Sequence, residues 1–126
     1  MTKNLSLILK GKIKKITLGN INSKRDWGHA KDYVYAMWKM MQIKKPQDFV
    51  IGTGKLHSVK DFIRIAFEHV NLNYKDYIQI DPKLFRPNDK ITLKANFSKA
   101  KTKLKWKPKI SFKSLVYEMV DYDIKN

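Results

Sequence analysis

Helix and strand breakers recur at short intervals along this chain, and their spacing limits the possible folds more than any other feature. Gly11, Gly19-Asn20, Pro46, Gly52-Thr53-Gly54, Asp81-Pro82 and Pro108 leave room between them only for short helices and very short strands. Residues 1 to 11 read as a helix closed near Gly11, and Ile13 to Leu18 alternate as a strand that Gly19-Asn20 stops. From His29, the segment HAKDYVYAMWKMMQI puts Ala30, Tyr33, Val34, Met37, Trp38 and Met41 on one side at helical spacing, the side expected to face the core, until Pro46. Met37, Met40 and Met41 are then core filling. Phe49 to Ile51 read as a short strand. Ser58 and Asp61 have the spacing of a capping box that opens the helix VKDFIRIAFEHV, with Val59, Phe62, Ile63, Ala66, Phe67 and Val70 inward.

Asn71 to Asn73 end that helix, and Tyr77 to Ile80 form a strand broken by Asp81-Pro82. An irregular stretch follows from 83 to 97. Ser98 starts a short lysine-rich helix to Leu104, Trp106 and Pro108 lock its exit, and Ser111 caps a last helix with Phe112, Leu115, Val116 and Met119 inward. About four helices and a few short strands make an α/β chain whose strands are too few for a doubly wound sheet.

The 126 residues suit one domain, and 43% apolar content is enough for a core. The formal charge of +16 comes from 27 Lys plus Arg against 11 Asp plus Glu, which invites a polyanionic partner. Only Arg25, Arg64 and Arg86 are arginine, however, and nucleic-acid surfaces favour the bidentate guanidinium. Much of the lysine excess therefore reads as solvated surface, and nucleic acid is not the expected partner. Cysteine is absent, and His29, His57 and His69 are too scattered to suggest a metal cage. The apolar run Leu5 to Leu9 is too short for a signal or spanning segment, so a soluble, cytoplasmic protein without a membrane partner is expected.

No catalytic constellation stands out. Tyr35 precedes Lys39 by four residues, yet both read as a solvated pair on a helix, and His29 near a helix start reads as a cap. Gly52-Thr53-Gly54 lacks the third glycine of a dinucleotide fingerprint and reads as a turn. Arg25 and Arg86 remain, each in a loop. An arginine fork can clamp diphosphate oxygens and a neighbouring carboxylate such as Asp89 can accept ribose hydroxyls, although loop arginines also cap helices or stay in solvent.

The strings LGNINSKRDWGHAKDYVYAMWKM, DFVIGTGKLHSV, DYIQIDPKLFRPND and SKAKTKLKWKP, in this order, resemble the C-terminal portion of the GDP-mannose 4,6-dehydratase family from about Leu9 to Val120. The resemblance implies the small C-terminal α/β domain of an extended short-chain dehydrogenase, with residues 1–126 as a single partial domain that binds a GDP-sugar such as GDP-mannose. The Rossmann domain, with its NADP site and its catalytic Thr, Glu, Tyr and Lys, would then be missing. This chain would have no catalytic residue and no cofactor of its own, and it would be either one half of a split enzyme, with a separate Rossmann-domain chain as its partner, or a gene fragment.

By the same resemblance, Arg25 and Arg86 take the places of diphosphate-side arginines, and Asp89 that of a ribose-binding Glu. Three positions depart from the family pattern: Ile91 and Asn96 each stand for Asp, and Lys105 for a turn glycine, where a positive φ would be uncomfortable for lysine. Two other readings stay open at this stage. One is a noncatalytic, basic polyanion-binding or nucleic-acid-binding module, and the other is part of a related GDP-sugar epimerase or reductase.

Overall fold

The computed structural model describes residues 1–89 and 91–126. The chain folds into two compact units: Met1–Lys24, Ser58–Thr92 and Val116–Asn126 form the first, and Arg25–His57 with Leu93–Leu115 form the second.

In the first unit, helix α1 (Thr2–Leu9) buries Leu5 and Ile8 and ends where the sequence placed its stop. Gly11 takes φ +67°, and the N–H groups of Gly11 and Lys12 donate to the carbonyls of Ile8 and Leu7, both at 2.9 Å. This is a Schellman closure, which needs a residue that tolerates the left-handed region. Strand β1 (Ile16–Leu18) is the short remnant of the alternating Ile13–Leu18 segment. Helix α3 (Val59–His69) opens on the expected capping box: Ser58 Oγ accepts from Asp61 N at 3.0 Å, and Ser58 N donates to Asp61 at 2.9 Å. It closes like α1, with Asn71 at φ 58° and Leu72 N donating to Phe67 O at 2.9 Å. Strand β4 (Ile78–Ile80) pairs in parallel with β1 in the register Ile16 to Ile78. Parallel pairing requires a crossover, and α3 lies between the two strands in sequence. The core consists of Leu5, Ile8, Ile16, Ile63, Ala66 and Phe67, together with Val116 and Val120 from helix α5 (Phe112–Lys125).

In the second unit, helix α2 (Ala30–Met41) and helix α4 (Ser98–Lys103) bury Ala36 and Ala100. These pack with Leu104 and Trp106 into a core edged by Tyr33, Met40, Ile43, Phe49, Ile51 and Phe97. Strands β2 (Lys24–Arg25) and β3 (His57–Ser58) pair as a two-residue ribbon at positions where the chain passes between the units.

The α/β class with few short strands is as expected, and the described residues hold five α-helices, each in a segment read as helical from the sequence. Three expectations fail. Phe49 to Ile51 form no strand, and Phe49 and Ile51 pack as loop side chains instead. Met119 is exposed, since the register of α5 turns Val120 inward.

The largest error concerns α2. Val34, Met37, Trp38 and Met41 lie on the outside at 56–81% exposure, whereas Ala36 and Asp32 are buried and only Met40 of the three methionines meets the core. Apolar periodicity finds a stripe, but it does not say whether that stripe meets this chain's own core or something else.

Candidate functional site

Arg86 and Asp89 are brought together in one turn of the first unit. Asp81 N donates to Leu18 O at 2.8 Å, which continues the β1–β4 ladder one step, and the Asp81 side chain caps the 3-10 turn Pro82–Leu84 through Lys83 N at 2.9 Å. Gly19 sits so close to this turn that an added Cβ would lie 2.6 Å from Leu84 O. The strand pair therefore fixes the base from which residues 85 to 89 project. Arg86 is exposed, Asp89 is partly buried, and Asp89 N donates to Arg86 O at 3.3 Å.

Arg25 belongs to the second unit, at the end of β2 and partly exposed. The loop after it is held by its neighbour Asp26. That carboxylate accepts Thr53 N at 2.9 Å, the Thr53 hydroxyl, Gly54 N at 2.9 Å and Ala95 N at 3.2 Å. Burial alone would raise the Asp26 pKa. The Thr53 hydroxyl and the three backbone N–H groups outweigh it and hold the carboxyl below its ordinary range. Gly54 at φ +70° and Gly52, where a Cβ would meet Ala95 Cβ at 2.2 Å, permit this wrapping. The Gly-x-Gly segment is thus a turn as expected, and its Thr53 and Gly54 N–H groups are spent on a carboxylate of this chain rather than free for a dinucleotide.

Behind Asp26, Trp27 stacks on Phe112 with ring centroids 5.5 Å apart, and His57 stacks on Phe112 at 3.9 Å. Tyr33 packs so closely that Gly28 admits no side chain, since a Cβ there would lie 2.2 Å from the Tyr33 hydroxyl oxygen. Burial first, then the Asp26 and Asp32 charges, push the Tyr33 hydroxyl above its usual pKa against a Gly28 backbone hydrogen bond.

Asp32 is the other organising carboxylate. It is buried and accepts Lys109 N at 3.0 Å and Ile110 N at 2.9 Å, while its carbonyl accepts the Trp106 indole N–H at 2.9 Å. Sequence reading missed both Asp26 and Asp32. Their partners lie 27, 28 and 69 residues away for Asp26 and 77 and 78 for Asp32, so no local spacing marks them.

The remaining polar candidates resolve as structure. His29 Nδ1 accepts Lys31 N at 3.0 Å as the cap of α2. His69 bonds Asp121 at 2.7 Å while stacked on Tyr117. Lys39 Nζ lies over the Tyr35 ring face, 5.1 Å from its centroid, and donates to Leu104 O at 3.1 Å. That geometry is not a hydroxyl–amine dyad. Among the described residues, no His/Cys/Asp/Glu group could hold a metal, and no helix is long and apolar enough to cross a membrane.

Comparison with solved structures defines the class. RMD from Pseudomonas aeruginosa, complexed with NADPH, matches 98% of this chain and 41% of its own with a TM-score of 0.87 at 13% identity. The dTDP-glucose 4,6-dehydratase of Bacillus anthracis, in complex with NAD, matches 100% of this chain and 40% of its own with a TM-score of 0.82 at 22% identity. The fold is that of part of the extended short-chain dehydrogenases. Residues 1–119 match the GDP-mannose 4,6 dehydratase family, and the chain belongs to it.

GDP-mannose 4,6 dehydratase 1 of Arabidopsis thaliana is 48% identical over 98% of this chain. The human enzyme is 39% identical over 98% and that of Vibrio cholerae 38% identical over 99%. The chain spans 34%, 38% and 41% of these three proteins, so it corresponds to a fragment of the enzyme. The polyanion-module and epimerase readings are not favoured by these matches.

Proposed function

We propose that this chain is the GDP-sugar-binding, C-terminal portion of a GDP-mannose 4,6-dehydratase, and that residues 1–126 act as one partial domain. The observation that carries this reading is the Arg86-to-Asp89 turn, held on a strand-pair base within a chain that matches the dehydratase family over residues 1–119. Arg86 presents a guanidinium to diphosphate oxygens, and Asp89, three residues on, offers an acceptor to ribose hydroxyls. Arg25, in the second unit, offers a guanidinium of the same chemistry, and its loop is kept in place by the Asp26 carboxylate.

In the whole enzyme the reaction oxidises C4 of the mannose, eliminates water across C5 and C6 and returns the hydride to C6, with NADP as hydride carrier. The residues present do not fit that cofactor, because the Thr53 and Gly54 amides bind Asp26 and Tyr35 has Lys39 on its ring face. We therefore assign this chain binding and orientation of the nucleotide, with no catalytic step and no cofactor. A Rossmann-domain chain is the partner this reading proposes, and the exposed stripe Val34, Met37, Trp38 and Met41 is the face that it would cover.

Titration calorimetry with GDP tests the reading. With one wall of a cleft present, affinity is expected to be weak, about submillimolar. Arg86→Ala should lower it about tenfold, the size of a lost charge-assisted hydrogen bond, while Lys14→Ala on the same unit should not. Equal losses would refute a specific arginine contact.

A further inference from the structure

The second unit carries a basic cavity that the dehydratase reading does not use. It is about 170 Å³ in volume, with Tyr35 and Trp106 in its wall and Lys101, Lys105, Lys107 and Lys109 around it. Lys109 Nζ stands 5.4 Å from the Tyr35 ring centroid, and Lys39 Nζ is 5.1 Å from the same centroid. The Tyr35 ring stacks in turn on Trp38 at 5.8 Å. Two ammonium groups thus flank the Tyr35 ring, and Lys101, Lys105 and Lys107 line the cavity beside Lys109.

This cluster stands on a fixed backbone. Leu104 and Trp106 are buried at 5% and 1% exposure, so the intervening and following lysines are directed outward. The Trp106 indole is tied to Asp32 O, and Lys109 N and Ile110 N are tied to the Asp32 carboxylate. The backbone that carries these lysines is therefore fixed before any ligand arrives, which reduces the ordering cost of binding. Like charges lining one cavity raise a local positive potential, screened over ~8 Å at physiological salt, that a multiply charged anion relieves.

Lysine binds phosphate as a point charge, whereas duplex or single-strand tracking favours arginine and a long groove. We infer that this cavity is a binding site for a small, phosphoryl-dense anion such as a linear oligophosphate. The site uses neither Arg25, Arg86 nor Asp89, so the inference stands or falls apart from the GDP-sugar reading.

Calorimetry with sodium triphosphate on the full chain at physiological salt tests it. A single saturable site is expected. The double variant Lys107→Glu/Lys109→Glu should lose at least about tenfold in affinity. The equal charge change Lys14→Glu/Lys15→Glu should stay within about twofold.

A second measurement needs no variant. Triphosphate should protect Lys101, Lys105, Lys107 and Lys109 from acetylation, read by mass spectrometry, while Lys3 and Lys14 remain reactive. Equal loss from both double variants, uniform protection of all lysines, or tighter binding of oligothymidylate that grows with its length would each overturn the proposal.

Discussion

Lys105 closes α4 in the left-handed region, at φ 53°. It is the residue after the helix cap Leu104, and the turn lets Trp106 N donate back to Ala100 O at 3.3 Å. A side chain with a Cβ pays about 1–2 kcal/mol for that conformation, and glycine does not. Replacing Lys105 by glycine also makes the unfolded chain more flexible, which takes back about 0.4–1 kcal/mol. The exposed lysine leaves no cavity, so Lys105→Gly should stabilise by about 0.5–1 kcal/mol.

Unfolding entropy near the melting temperature is ~2.1 cal/mol/K per residue, or about 0.26 kcal/mol/K for the 126 residues. The expected rise in Tm is therefore about 2–4 °C. Removing one of several clustered positive charges would also stabilise, so Lys105→Ala is the control: it removes the charge and keeps the Cβ. Thermal melts of the three proteins at high salt, where charge effects are screened, separate the two causes. Glycine should melt above both alanine and lysine, and an alanine variant equal to or above the glycine one would refute backbone strain as the reason.

Asp26→Asn should destabilise by about 1–2 kcal/mol at neutral pH, because the amide accepts fewer of the four hydrogen bonds. Since the folded-state pKa is depressed, the native state binds fewer protons. The contribution is then present above the unfolded value near 3.8 and lost as pH falls through the folded value, so urea midpoints of the two proteins should converge in acid. Trp106→Ala removes a side chain at 1% exposure together with its bond to Asp32 O and should cost about 3–5 kcal/mol in denaturant unfolding. The α2 stripe should drive self-association that grows with salt as the +16 charge is screened. Met37→Glu/Met41→Glu should suppress it in sedimentation across a salt series, and an unchanged profile would place the contact elsewhere.

What was legible in the sequence was local. The capping box of Ser58 and Asp61, the stops at Gly11 and Asn71, the cap role of His29 and the turn at Gly52-Thr53-Gly54 depend on residues within a few positions of one another, and all appear in the structure. The discomfort of lysine at position 105 was legible only through the family resemblance, which puts a turn glycine there, and the structure gives that residue φ 53°. Family membership was legible because long ordered strings carry it.

Tertiary structure decided the rest. It buries Asp32 and Ala36 and leaves Met37 and Met41 outside, although periodicity marks the methionine side as apolar. It turns Gly52–Gly54 onto Asp26, sets Ile16 beside Ile78, and gathers Lys101 to Lys109 around Tyr35. Each of these rests on a partner tens of residues away, and no spacing rule encodes such a partner. Propensity and capping are properties of neighbours along the chain, whereas burial and hydrogen-bond satisfaction are fixed only when distant segments exclude water together.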